Sequence, residues 1–262
     1  MLRFFRAEGA SESGSSQLVL RHAGETIVVA LRRSRAARRY TLRVRFAARD
    51  AVLTMPQRGS LCDARAFAER HAAWIATRLQ RLPEAIPFLP GAVAPLRGVD
   101  HLLTHRPEAR GVVWSEPLAA VGTLNERDDA PEFALCVTGA VEHMHRRVSD
   151  FLKREARRDL EAAVARHTQA LSLPARSVGL RDPVSRWGSC SSTGSLNFSW
   201  RLIMAPPFVL DYLAAHEVAH LVHLDHSPRF WALTRRLSSE VDGAEAWLTR
   251  QGSQLHKYGA DR

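Results

Sequence analysis

The chain has 262 residues, 45% of them hydrophobic, and a formal net charge of +10, which suits one large or two modest globular domains and excludes a disordered chain. No apolar run reaches the roughly 18 residues of a membrane-spanning helix, and the start MLRFFRAEGASESGSS has too short an apolar stretch for a signal peptide, so a cytoplasmic protein with no membrane partner is expected. Cys62, Cys136 and Cys190 lie far apart and form no CxxC pair, which argues against a disulfide framework and against a thiolate zinc site. Lys153 and Lys257 are the only lysines. Almost all the positive charge is therefore arginine, the side chain that pairs bidentately with carboxylate and phosphate.

Residues 1–16 are polar and rich in small residues and are expected to be disordered. From Gln17 the pattern is strand-like: QLVLRHAGETIVVALRR predicts a hairpin turning at Ala23-Gly24, and YTLRVRF and AVLTMP are further strands. RRSRAARRY between them crowds Arg32, Arg33, Arg35, Arg38 and Arg39 into one loop, a solvated segment or a face for an anion or nucleic acid. Residues 60–82 repeat apolar side chains at helical spacing behind a Ser60 N-cap and predict one helix. PEAIPFLPGAVAPLRG interrupts regular structure, and VDHLLTHR, GVVWS and EFALCVTG are short candidate strands.

A long helix is predicted from about Ala140 to Ser172. Beyond it, Thr193-Gly194 marks a turn, and Leu196, Phe198, Trp200 and Leu202 alternate with polar residues as in an antiparallel hairpin. The expected organisation is α+β, with an N-terminal β-rich region (17–138) carrying one helix and a metal-binding catalytic region (139–262).

The chemistry is concentrated in HEVAHLVHLDH, residues 216–226. His216 and His220, four apart on a helix, present two imidazoles on one face, and Glu217 projects about 100° away, outside the ligand set but within reach of a water molecule there. A catalytic zinc needs a third protein ligand and one open position. His223 lies too far along the same helix to converge with the other two. His226 is favoured because Ser227 is a natural N-cap with Pro228 at N1, so His226 occupies an elbow between two helices. Glu240 or Glu245 downstream is the alternative third ligand. Arg186, Arg201 and Tyr212 are candidates for substrate binding or oxyanion stabilisation, whereas Cys190, Trp187 and Trp200 read as packed residues. His101 and His105 repeat the four-residue spacing in strand-like sequence and are expected to be incidental.

RWGSCSSTGSLNFSWRLIMAPPFVLDYLAAHEVAHLVHLDHSPRFW, together with RRSRAARRYTLRV and PFLPGAVAPLRG, closely resembles the YgjP-like metallopeptidase-domain family, whose zinc site is related to those of SprT-type and other zincin proteases. The resemblance implies a zincin-like fold, one divalent ion with zinc expected, His216, His220 and His226 as ligands and Glu217 as catalytic acid and base. It also suggests that the RWGSCSS segment is a binding edge. His223 stands where metzincins carry glycine, so a metzincin assignment does not follow. The expected function is zinc-dependent hydrolysis of a peptide or protein by a metal-activated water. A metal-dependent nucleotide pyrophosphatase is the alternative, and a nucleic-acid-associated protein docking through its Arg-rich N-terminal region is a third reading.

Overall fold

The computed structural model describes residues 17–45, 50–80, 84–121, 131–183 and 186–259; the segment 1–16, expected to be disordered, lies outside them. The chain divides between residues 82 and 83 into two compact units. Both combine helices with small sheets, a mixed α+β organisation.

In the first unit β1 (Gln17–His22) and β2 (Glu25–Ser34) form the expected hairpin, with Ala23 and Gly24 both at positive φ (49° and 84°), the conformation of a tight two-residue turn. β3 (Thr41–Arg45) pairs antiparallel with β4 (Asp50–Pro56), and β4 runs parallel to β2, giving the order β1-β2-β4-β3. The alternating face of Leu18, Leu20, Ile27, Val29, Leu53 and Met55 is buried with Ala64, Ala68, Ile75 and Ala76. The single helix expected over 60–82 is two: α1 (Leu61–Arg70), capped by Ser60 Oγ at the Cys62 and Asp63 amides, and α2 (Ala72–Gln80). The break has a local cause. The His71 ring nitrogen Nδ1 lies 2.8 Å from the Phe67 carbonyl that its own backbone N–H would otherwise bond, and that N–H tightens onto Ala68 instead. In the arginine loop Arg33 donates to the carbonyls of Gln57 and Gly59, while Arg32, Arg35, Arg38 and Arg39 are exposed.

The second unit contains two sheets. One has the order β5-β6-β8-β7, from β5 (Val93–Leu96), β6 (Val99–His105), β7 (Val113–Pro117) and β8 (Phe133–Val137). β5 arises in a segment expected to be irregular; Pro95 is tolerated because β5 is an edge strand. The other has the order β10-β11-β9, from β9 (Ser177–Arg181), β10 (Gly188–Cys190) and β11 (Ser195–Ser199). β10 and β11 make the expected hairpin, but alternation ends at Ser199. Trp200–Met204 coil into a 3₁₀ turn with all five side chains buried.

α3 (Met144–Leu171) runs beneath both sheets, burying Val148, Leu152, Ala156, Leu160, Ala163 and Val164 at three- and four-residue intervals. Leu103 and Leu135 of the first sheet, Leu196 and Phe198 of the second, and Val209 and Leu213 of α4 (Pro207–Ala219) share its core. The division expected at 138/139 is therefore absent, because it would split one continuous apolar core. The β5–β6 turn reinforces this unity. The Arg97 and Gly98 amides donate to the carbonyls of Ile203 (2.7 Å) and Met204 (3.2 Å), just before α4. The Arg97 side chain reaches Asp159 and Glu155 of α3. Gly98, at φ 79°, packs so closely on Pro206 that a Cβ would crowd it. No helix among the described residues is long and apolar enough to cross a membrane.

Candidate active site

α4 opens at Pro207 behind Pro206 and is buried on almost every side, which takes His216 and Glu217 inside the unit. It ends at Ala219, with His220 as its C-cap. His223 is thus outside the helix, and its carbonyl lies 2.9 Å from His220 Nδ1. That bond folds the chain back and leaves His220 Nε2 free to face the other imidazoles. Ser227 Oγ accepts from the Phe230 amide to start α5 (Pro228–Leu237), and His226 sits in the elbow as expected. Phe230, fully buried, packs against all three rings with centroids 4.5–4.9 Å away.

One nitrogen from each of His216, His220 and His226 lies within 4.8 Å of the other two, and His216 Nε2 and His226 Nε2 are 3.2 Å apart. Two nitrogens on a tetrahedral zinc at its usual bond length stand about 3.3 Å apart, so the donor set fits such an ion. Burial, with the charges of His220 and His226, pushes His216 down to about 4. His220 is also lowered by burial, against the pull of the His223 carbonyl. Neutral rings keep their lone pairs available. Glu240 and Glu245 are outside this cluster. Glu245 instead accepts from Tyr212, whose hydroxyl is 3.3 Å from His216 Nδ1.

Glu217 is 4% exposed, and its Oε2 has no hydrogen-bond partner. An unsatisfied buried carboxylate oxygen is costly. Here it implies a polar ligand or water at that position. Burial pushes the carboxyl up to about 7, with Arg186 pulling the other way, which suits a group that must both take and give a proton near neutrality. Glu217 lies flat against β10, where a Cβ on Gly188 would overlap its carboxylate. Sequence reasoning passed over Gly188; the small residue inside RWGSC was the available signal.

Of the three oxyanion candidates, Arg186 is exposed and acts electrostatically on Glu217. Arg201 cannot serve: it is 2% exposed, and its guanidinium is held by both Asp182 oxygens (2.7 and 3.0 Å) and by the carbonyls of Leu255 and Tyr258. Tyr212 is 4% exposed and engaged with Glu245 and His216, so it too is turned away from substrate. Burial, with the charge of Glu217, pushes the Cys190 thiol up, the opposite of an activated nucleophile. His101 is buried against Ser115 and the Val99 carbonyl, away from the cluster.

A search of solved structures gives a crystal structure of the metallopeptidase zymogen abylysin of Pyrococcus abyssi, 17% identical, with a TM-score of 0.32 over 36% of this chain and 95% of that one. A comparison with curated protein sequences gives no match. The family model for the YgjP-like metallopeptidase domain matches residues 38–251, a span that takes in the three histidines, Glu217, β10 and most of both units. The chain belongs to the YgjP-like metallopeptidase-domain family.

Proposed function

We propose that the protein is a zinc-dependent peptidase of zincin-like architecture, with His216, His220 and His226 holding the ion and Glu217 as general base and acid. The observation that carries this reading is the convergence of three imidazoles beside a buried carboxylate whose Oε2 is unpartnered. When bound, the ion supplies Lewis acidity on the open side of the three rings.

The residues of the chain do the rest. Glu217 Oε2 accepts a proton from the water that attacks the scissile carbonyl and then delivers it to the leaving amine. Arg186, exposed beside Glu217, offers charge to the developing oxyanion. β10 supplies the docking edge. Trp187 O accepts from Ser199 N, and Ser191 N donates to Ser195 O, so by alternation the main-chain groups of Gly188 and Cys190 point away from β11 toward the free edge. An extended peptide can add there as a fourth strand, alongside α4.

Membership of a metallopeptidase-domain family favours peptide over the nucleotide and nucleic-acid alternatives. The test is metal content and cleavage of an unfolded protein by the wild type, His226→Ala and Glu217→Gln. Near one zinc per chain is expected in the wild type and in Glu217→Gln, with cleavage in the wild type alone. A metal-free wild type after exposure to zinc, or undiminished cleavage by Glu217→Gln, would refute the assignment.

A further inference from the structure

The edge that would receive a peptide borders a cavity of about 400 Å³ lined by Arg181, Asp182, Arg186, Gly188, Ser189 and Asn197. Its position follows from strand register. Ser189 faces Asn197 across β10–β11, and Arg181 lies two register steps from Gly179, the β9 partner of Asn197, so the side chains of Arg181, Ser189 and Asn197 share the outer face of the sheet. Leu196 and Phe198 on the other face are buried in the core, and Phe198 also forms part of the cavity wall beside Gly188, its partner in the register. Gly188 and Arg186 bound the cavity on the side of Glu217.

Asp182, the one carboxylate of this lining, is held bidentately by Arg201. Among the described residues neither Arg181 nor Arg186 forms an ion pair with a carboxylate; Arg181 donates to its own neighbour's carbonyl, Leu180 O. A second cavity shares Arg181 and Asp182 and adds Lys153 and Arg154, so positive charge continues beyond the first. A peptide paired with β10 projects alternate side chains to opposite faces of the sheet. Those reaching the outer face meet two unpaired guanidinium groups and the Ser189 and Asn197 side chains. An Asp or Glu carboxylate satisfies both the charge and the fork geometry of arginine.

We propose that this cavity is a specificity subsite selecting acidic peptides, with an Asp or Glu side chain near the scissile bond seated between Arg181 and Arg186. The inference rests on the peptidase reading for its substrate class, so binding and cleavage are measured separately. Three short fluorescent peptides differing only in a central Glu, Gln or Lys are titrated onto zinc-loaded Glu217→Gln protein. The Glu peptide binds roughly tenfold more tightly than the Gln peptide, the advantage shrinks with added salt, and Arg181→Glu reverses it in favour of Lys. Equal binding of the three peptides overturns the proposal, as does displacement of the Glu peptide by a nucleoside triphosphate that binds more tightly. Cleavage of all three at one rate by the wild type also overturns it, leaving the peptidase reading intact. Selective binding without cleavage retains the acidic subsite and removes the peptidase reading.

Discussion

The hydroxyl of Tyr212 donates to a carboxylate oxygen of Glu245 across 3.0 Å. Its proton so committed, the hydroxyl can only accept from His216 Nδ1, 3.3 Å away. Nδ1 then carries the ring proton and Nε2 the lone pair that faces His220 and His226. Burial and the Glu245 charge push the Tyr212 phenol up, which keeps the relay protonated at all ordinary pH. Partners of this kind fix the tautomer and orientation of a ligand. Tyr212→Phe is expected to weaken zinc binding by about 10- to 100-fold, read by competition with a chromophoric chelator. Glu245→Gln, which can still accept the hydroxyl proton, should lose less. Unchanged affinity in Tyr212→Phe would remove the relay from the site.

Gly188→Ala tests the seat of the carboxylate. Because an added methyl occupies the space of the Glu217 carboxylate, turnover should fall by about 10²- to 10⁴-fold, the usual value of a general base. Zinc binding should hold, since the atoms that an added methyl meets first all belong to Glu217 and not to the histidines. A variant with full turnover would show that Glu217 has room to act elsewhere.

Arg201 is structural, and its loss should register as stability. Arg201→Met strands the carbonyls of Leu255 and Tyr258 and releases Asp182, at an expected loss of about 3 kcal/mol. The denaturant midpoint measures it. A shift comparable to that of an exposed arginine would contradict the buried network.

His256 predicts a pH dependence. Burial, with Arg201, pushes it down to about 4, while its ring stacks on Trp187 with centroids 5.2 Å apart. The folded value lies below the ordinary 6.5, so on acidification the unfolded chain takes up the proton first. The stabilisation is complete above pH 6.5 and drains away toward pH 4, on the order of 2–3 kcal/mol in all. His256→Gln should lie flatter than the wild type across that window in urea melts at several pH values. Parallel curves would assign the acid sensitivity to other groups.

What the sequence made legible was local. The four-residue spacing of His216 and His220, the Ser227-Pro228 helix start that places His226, and the Ala23-Gly24 turn each depend on neighbours in the chain. What it hid depends on distant partners. The parallel pairings β2–β4, β6–β8 and β9–β11 leave no mark in either strand. Arg201 reads as a polar residue of an alternating strand until Asp182 and the Leu255 carbonyl come into view. Tyr212 precedes His216 by one helical turn, so their contact was readable, but Glu245 lies 33 residues beyond Tyr212. The break at His71 escaped because apolar periodicity does not register a side chain bonding its own helix.

The Arg97-Gly98 turn sets a limit on dissection. It is a bracket fastened to three places: the Ile203 and Met204 carbonyls, the acidic groups of α3, and Pro206 at the threshold of α4. A fragment excised at residue 139 retains His216, Glu217, His220 and His226, yet it loses this bracket and strips Leu103 and Leu135 from the shared core. The second unit therefore keeps its core whole only when it opens near residue 83, and the proline-rich stretch that interrupts regular structure is the first course of its foundation.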